Sequence, residues 1–596
     1  MTIKSGGSGI AYKWIALSNT TLGMLMATLN MSSLIIALPA VFRGIRLNPL
    51  DPANFSYLLW ILMGYMLLTA VLVVTFGRIG DIFGRVRMYN LGFAVFTLGS
   101  VLLSLTWSRG GAGAIELIGF RMVQAIGGAL LMANSAAILT DAFPSAERGM
   151  AIGINQIAGL VGQFVGLLLG GVLAAINWRG VFLINVPVGL FGTVWAYLQL
   201  RELGERHQAH IDWWGNLTFA AGLTLLLVGI TYGIKPYGHS AMGWQNPFVI
   251  MMMAGGSGIL ILFGFIEARV REPMFTLGLF RIRAFTLGNV AGLVSSIGRG
   301  GLQFMLIMWL QGIWLPIHGY NFVQTPLWAG IYMLPLTAGF IIAGPASGWL
   351  SDRYGARPFA TGGMILAAGT FALLMSLPVD FSYLPFATVL FFNGVAFGLF
   401  SAPNTTGIMN SVPARHRGAA SGMRSTFQNT GMPLSIGIFF SLMIVGLSST
   451  VPSAMFGGLT RSGLPATIAG PLSRLPPVSY LFAAFLGYNP LATLLGPKVL
   501  SALPAVDAAR LTGREFFPSL IAGPFKHGLV MVLAFAAVMS LIAAGASWLR
   551  GGRFVYQDRA ELTHSTAELD ECMPVSETDG GWVESETRHT SRSKRQ

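Results

Sequence analysis

The chain has 596 residues, 54% hydrophobic and 10% charged, with 76 glycines, one cysteine and a formal net charge of +14. A soluble domain carries about 25% charged residues and about 7% glycine. Too little polar surface exists to cover a water-soluble fold, which excludes soluble globular, disordered and collagenous chains and leaves an all-α polytopic membrane protein.

A helix needs about 20 apolar residues to cross the ~30 Å hydrocarbon core. Along the chain such runs fall near 14–40, 56–77, 88–107, 114–137, 150–173 and 181–200, then near 213–233 and 247–267. Others follow near 285–313, 327–350, 359–377, 384–406, 418–446 and 526–549, which predicts fourteen transmembrane helices. Between the last two, residues 447–525 form a long stretch broken by prolines. Its apolar run 480–495 is short and interrupted by Asn489-Pro490, so it reads as an interfacial or re-entrant segment and not a fifteenth span, with two positions open to it, on the membrane surface or as a rigid cap over the bundle. The Ser/Thr/Glu-rich end, 550–596, reads as a disordered tail.

Arginine and lysine in the short loops set the orientation. One set of loops holds fourteen basic residues, among them Arg78, Arg85, Arg148, Arg206, Arg281, Arg357 and Arg417; the alternate set holds five, Arg43, Arg46, Arg109, Arg179 and Lys235. Both termini join the rich side, so the reading is a multi-pass protein of the cytoplasmic (inner) membrane with both ends cytoplasmic. No basic stretch is interleaved with aromatics, which argues against nucleic acid. The lone Cys572 precludes an intrachain disulfide and a cysteine metal site. All eight histidines fall in loops, span ends or the tail, and neither a His-Glu-x-x-His pattern nor a phosphate-binding Gly-x-x-x-x-Gly-Lys-Ser/Thr loop occurs. No metal, no cofactor and no enzyme are therefore expected.

The loop after the second span reads Gly77-Arg78-Ile79-Gly80-Asp81-Ile82-Phe83-Gly84-Arg85, and after the tenth comes Gly348-Trp349-Leu350-Ser351-Asp352-Arg353-Tyr354-Gly355-Ala356-Arg357. Gly77, Asp81 and Gly84 map onto Gly348, Asp352 and Gly355 at an offset of 271. A second pair, Pro144 to Gly153 and Pro413 to Gly422, with Arg148 matching Arg417, agrees at 269. The chain thus reads as two pseudo-symmetric six-helix bundles, 1–200 and 284–549 (the latter including extracytoplasmic loop 447–525), with a two-helix insert, 201–283. Such duplication suits alternating access, in which one half rocks against the other. Gly162, Gly166, Gly170 and Gly171 put small faces along the fifth span, where they let helices approach closely.

These motifs resemble the major facilitator superfamily, and within it the fourteen-span drug:proton antiporter branch, over roughly 14–446 plus the last span. Gly77–Arg87 is similar to the loop 2–3 signature, Arg121-Met-Val-Gln124-Ala-Ile-Gly127-Gly128 to the fourth-span signature, Gly162–Gly171 to the fifth-span antiporter signature and Leu29–Pro39 to the first-span signature. The resemblance implies a conformational latch formed by Gly77, Asp81, Gly84, Arg85, Arg148, Asp352, Gly355 and Arg357. It also implies proton-relay control at Arg121.

Two positions depart from the branch. Asn30 stands where a first-span aspartate is usual, and Leu167 where proline usually follows the central glycine of the fifth span. Asparagine cannot load and unload a proton, so Glu116, one and a half turns from Arg121, is the substitute acid. Arginine inside a span costs about 2.5–3.5 kcal/mol even on the gentlest scale, so Arg121, Arg299 and Arg424 are expected to face a cavity or a partner. Arg299 reads as a site for an anion or polar head. Asn30, Gln124, Asn134, Asn155, Gln163, Arg299, Gln303, Asn404 and Gln428 are the candidates for lining a substrate cavity, where each is also a ready interhelical hydrogen-bonder. The expected function is a monomeric secondary active exporter of drug-like or amphiphilic small molecules, moving protons in exchange within the lipid bilayer. The alternative is an exporter of anionic or lipid-like metabolites, or an uptake transporter, without standard proton antiport.

Overall fold

The computed structural model describes residues 12–551 apart from 145–146, 204–211, 239, 241, 271–272, 274, 414–416 and 488. The 550–596 tail reading lies outside them, but for its first two residues. Among the described residues the protein is helical throughout, with one isolated bridge, Tyr237 to Ser240, and no strand. Backbone amides in hydrocarbon must be satisfied within their own segment, and the helix does this for each crossing.

Fourteen helices are long and apolar enough to cross a membrane. We number them spans 1 to 14: Tyr12–Gly44, Pro52–Phe83, Arg85–Leu105, Gly110–Ala142, Met150–Ile176, Gly180–Gln199, Trp213–Gly233, Pro247–Glu267, Arg283–Ile317, Thr325–Ser351, Ala356–Ser376, Tyr383–Asn410, Ala419–Arg461 and Phe516–Leu549. Each overlaps its predicted run, and the helices extend beyond the apolar stretches because they continue past the hydrocarbon. The even count returns span 14 to the face where span 1 begins; we call this the terminal face.

Neighbour choice repeats. In the first six spans, 1 packs on 5, 2 on 4, 3 on 4 and 3 on 6; in the last six, 9 packs on 13, 10 on 12, 11 on 12 and 11 on 14. Spans 7 and 8 pack on each other. The loop repeat carries the same backbone: Gly84 (φ 108°) alone joins span 2 to span 3, and Gly355 (φ 87°) joins the two helices of the second copy. Both angles lie where an L side chain is strained.

The 447–525 stretch separates two positions that its sequence leaves open. Span 13 runs on to Arg461, and short helices follow at Ala466–Ser473, Pro477–Phe485, Leu491–Ala502 and Ala505–Thr512. The Pro477–Phe485 helix does not lie on the membrane surface; every residue in it is buried. Phe482 meets Phe42 and Phe55 edge-on at 5.8 Å each, Phe485 packs on Phe304 at 5.2 Å, and Arg43 donates to the Leu486 carbonyl at 3.1 Å. The helix has no polar face to leave in water, so it inserts as a plug at the face opposite the termini.

Candidate functional site

Polar side chains inside the bundle gather in separate groups. In the first, Arg121 of span 4 is 2% exposed and donates to the side-chain oxygens of Asn30 and Gln124. Its guanidinium carbon lies 4.1 Å from the centroid of the Tyr65 ring, and Gln124 donates in turn to Ser100 at 2.7 Å. Four spans thereby meet on one cation. Two amide oxygens and a π face partner the charge; Arg121 Nε and Asn30 Nδ2 have no partner. Tyr65 and Ser100 were not foreseen, because span pairing is invisible in a sequence.

Glu116 is not beside Arg121. It accepts from the backbone of Ser108 at 3.1 Å and of Trp107 at 3.4 Å, closing the loop between spans 3 and 4 at the face opposite the termini. The reach of one and a half helical turns ignored that a carboxylate near a helix start has free N–H groups closer to hand.

At the terminal face Arg85 holds two acids, with Nε 2.8 Å from Asp81 and a terminal nitrogen 2.6 Å from Asp141. Burial opposes the Arg85 charge, while the two carboxylates favour it. Glu202, which sequence reasoning missed, accepts from the backbone N–H groups of Arg85 at 2.7 Å and Val86 at 3.2 Å, supplying the acid that a helix N-terminus favours. One loop therefore ties spans 2, 3 and 4 to the segment after span 6. The second copy differs: at the same offsets Ala356 replaces Arg85 and Asn410 replaces Asp141. Arg357 instead stacks 3.9 Å from the Trp548 ring. The side chains of Arg148 and Asp352 lie outside the described ones. A Cβ on Gly77 would meet nothing within 4 Å.

The fifth-span glycines face outward in two directions. A Cβ on Gly162, Gly166 or Gly170 would lie 2.5–2.6 Å from backbone atoms of Leu25, Leu29 and Ser33 on span 1, whereas one on Gly171 would lie 2.6 Å from Leu327 on span 10. Gln163 between them donates to Gln303 of span 9 at 2.9 Å, and Gln311 donates to the Ile36 carbonyl at 3.1 Å, so both bonds join the two six-helix sets. Asn155 bonds Ser135 within the first set at 3.2 Å.

A cavity lies between spans 9, 12 and 13 and reaches from mid-span 9 towards the terminal face. Arg299, Arg424, Gln428, Asn404, Phe397 and Phe427 are among its walls. Arg299 ends the helical segment Arg283–Arg299, where Gly300 and Gly301 interrupt the span; a Cβ on Gly300 would lie 2.9 Å from Met432 of span 13. Arg424 donates to Thr405 and Gln428, both at 3.1 Å. Of the expected cavity residues Arg299, Asn404 and Gln428 are here; Asn30 and Gln124 hold Arg121, and Gln163 and Gln303 hold each other.

Among the described residues the buried acids are Asp212 and Glu267, at the foot of spans 7 and 8. Asp212 caps span 7 through the Gly215 N–H at 2.8 Å, and Glu267 accepts from the Phe275 N–H at 2.8 Å. Their other oxygens, Oδ2 and Oε1, have no donor, and both crowd the position a Cβ on Gly215 would take. Arg78 of the latch loop is the charged group facing them; it donates to the Pro273 carbonyl at 2.5 Å.

Comparison with known proteins agrees on the fold. Residues 20–436 match the family model of the Major Facilitator Superfamily. The chain is 28% identical to the riboflavin transporter RibZ of Clostridioides difficile over 73% of this chain and 89% of that one. It is 29% identical to the tetracenomycin C resistance and export protein of Streptomyces glaucescens (74% and 77% covered) and 26% identical to the multidrug transporter protein MdtP of Bacillus subtilis (82% and 87%). Among solved structures, a bacterial homologue of the human lysosomal transporter Spinster superposes with a TM-score of 0.51 at 17% identity, covering 91% of this chain and 98% of that one.

Proposed function

The chain belongs to the major facilitator superfamily of non-enzymatic secondary transporters, and on that premise we propose that it exports drug-like or amphiphilic small molecules by alternating access. The observation that carries this reading is the Gln163–Gln303 bond. It joins two similarly paired six-helix sets by a polar contact inside the bundle, where a rocking motion must break and remake bonds. At the face opposite the termini the sets are locked more firmly, by Gly171 against Leu327, Gln311 against Ile36 and the plug helix against span 1. The relative named for resistance and export supports the outward direction, the one named as a multidrug transporter supports drug-like cargo, and the arginine-rich loops support termini in the cytoplasm.

Protons are the coupling ion in this reading, and Asn30 does not carry them. The Asp212–Glu267 pair does: two buried carboxyls with facing oxygens can hold one proton between them, and Arg78 links the pair to the latch loop. Arg121 then serves as a fixed cation that organises spans 1, 2, 3 and 4.

The test is transport in proteoliposomes with an imposed pH gradient, using cationic, neutral and anionic amphiphiles in parallel, with wild type and Glu267→Gln. Gradient-driven movement that is lost in Glu267→Gln supports the reading. Transport indifferent to the gradient overturns proton coupling, and transport of none of the three classes overturns export of amphiphiles.

A further inference from the structure

We propose that the cavity between spans 9, 12 and 13 binds the oxyanion end of an amphiphile, a carboxylate, phosphate or sulfonate on a flat aromatic body, through Arg299 and Arg424. The inference rests on the transporter reading for its meaning, though not for its geometry. Three observations carry it.

First, the two cations share one cavity without an acid. No aspartate or glutamate lines the cavity, and no salt bridge reaches either arginine among the described residues. Arg424 has only neutral partners, the Thr405 hydroxyl and the Gln428 amide oxygen, and its Nε is buried with no partner. Arg299 has no hydrogen bond to any described group; its guanidinium lies over Phe340 at 4.7 Å and Phe397 at 5.0 Å. A guanidinium presents five N–H donors in a fixed fork, so Arg299 brings its whole fork unpaired to the cavity wall, and Arg424 keeps the two donors of its second terminal nitrogen.

Second, the neighbours reinforce the positive field. Asn404, on the cavity wall, accepts from Arg550 at 3.0 Å, and burial lowers the Arg550 pKa to about 10, which leaves it charged at neutral pH. Third, the remaining walls suit a flat apolar body. Phe397, Phe400 and Phe427 face the same space, and small-molecule sites are lined in this way, by aromatic walls with a few placed polar groups. A cation of the same shape would meet two like charges with no counter-ion.

The experiment uses purified full-length protein and 2-naphthoate as the probe. The neutral 2-naphthamide, cationic 2-naphthylmethylamine and inorganic phosphate serve as comparison ligands, and binding is read from the shift in thermal unfolding and from titration. Tight binding of 2-naphthoate, at least tenfold weaker binding of the amide and amine, and at least tenfold loss in both Arg299→Gln and Arg424→Gln support the site. Arg424→Lys, which keeps the charge, guards against misfolding: partial recovery relative to Arg424→Gln supports the assignment. Equal binding of the amide, or unchanged 2-naphthoate affinity in both glutamine variants, overturns it. Inorganic phosphate binding as tightly as 2-naphthoate overturns the amphiphile and leaves a site for a small free anion. Binding of 2-naphthoate by protein that moves no amphiphile in proteoliposomes supports the site while defeating the export reading, so the two fail separately.

Discussion

Asn30 accepts a hydrogen bond from Arg121 in the interior of the first six spans, at the position where the branch it resembles usually places an aspartate. An amide there satisfies the guanidinium by dipole and leaves the cation without a titrating partner. Removing the amide strands a buried charge-bearing donor, at a cost of about 1–3 kcal/mol. Asn30→Ala is accordingly expected to lower the thermal unfolding temperature, while Asn30→Asp retains it, because a carboxylate also accepts from Arg121. Arg121→Lys is expected to resemble Asn30→Ala, since an ammonium cannot reproduce the planar fork and the stacking on Tyr65. Thermal unfolding in detergent checks all three.

The Arg85 latch predicts non-additive effects. Asp81 and Asp141 share one guanidinium, so losing either leaves the other still held. Both side chains are partly exposed, which limits each to about 1 kcal/mol of stability. Asp81→Asn is expected to reduce transport severalfold with expression intact, and the double variant with Asp141→Asn to exceed the product of the single effects, because only the double loss leaves Arg85 without an acid. Initial transport rates through this mutant cycle test it; normal transport by Asp81→Asn removes the latch.

The duplicated glycines make a paired prediction. Alanine at either must adopt a strained conformation, costing about 1–3 kcal/mol. At Gly84 the added Cβ would also lie 2.6 Å from Glu202 Oε2, whereas at Gly355 it would meet nothing within 4 Å. Gly84→Ala should therefore destabilise more than Gly355→Ala, and pairing Gly84→Ala with Glu202→Ala should narrow the difference. Unfolding temperatures of the four proteins decide it.

The plug helix is expected to behave as core. Phe482 is fully buried between Phe42 and Phe55, so Phe482→Ala should cost about 3–5 kcal/mol. Val506, 79% exposed in the same inter-span stretch, is the matching control, and Val506→Ala should be near neutral. Equal unfolding temperatures for the two variants would refute the plug.

The residues themselves determined the class, the fourteen spans and the duplication. Each depends on local quantities: apolar run length against membrane thickness, and short motifs repeated at offsets of 271 and 269. Tertiary structure alone decided the partners. Glu116 and Arg121 are near in sequence yet have different partners, a loop backbone and the bundle interior, while Arg121 and Asn30, 91 residues apart, are bonded. The acids at 212 and 267 read as ordinary span-end charges until spans 7 and 8 bring them together. The apolar run near 480 fitted a surface segment and a bundle cap alike, because hydropathy measures what water rejects and is silent on whether lipid or protein receives it. Placement of the few charges follows the same rule. Their scarcity, 10% of the chain, marks a membrane protein, but only the packing of spans 9, 12 and 13 sets Arg299 and Arg424 around one acid-free cavity. The cost of each buried charge depends on its neighbours, and neighbours are chosen by the fold.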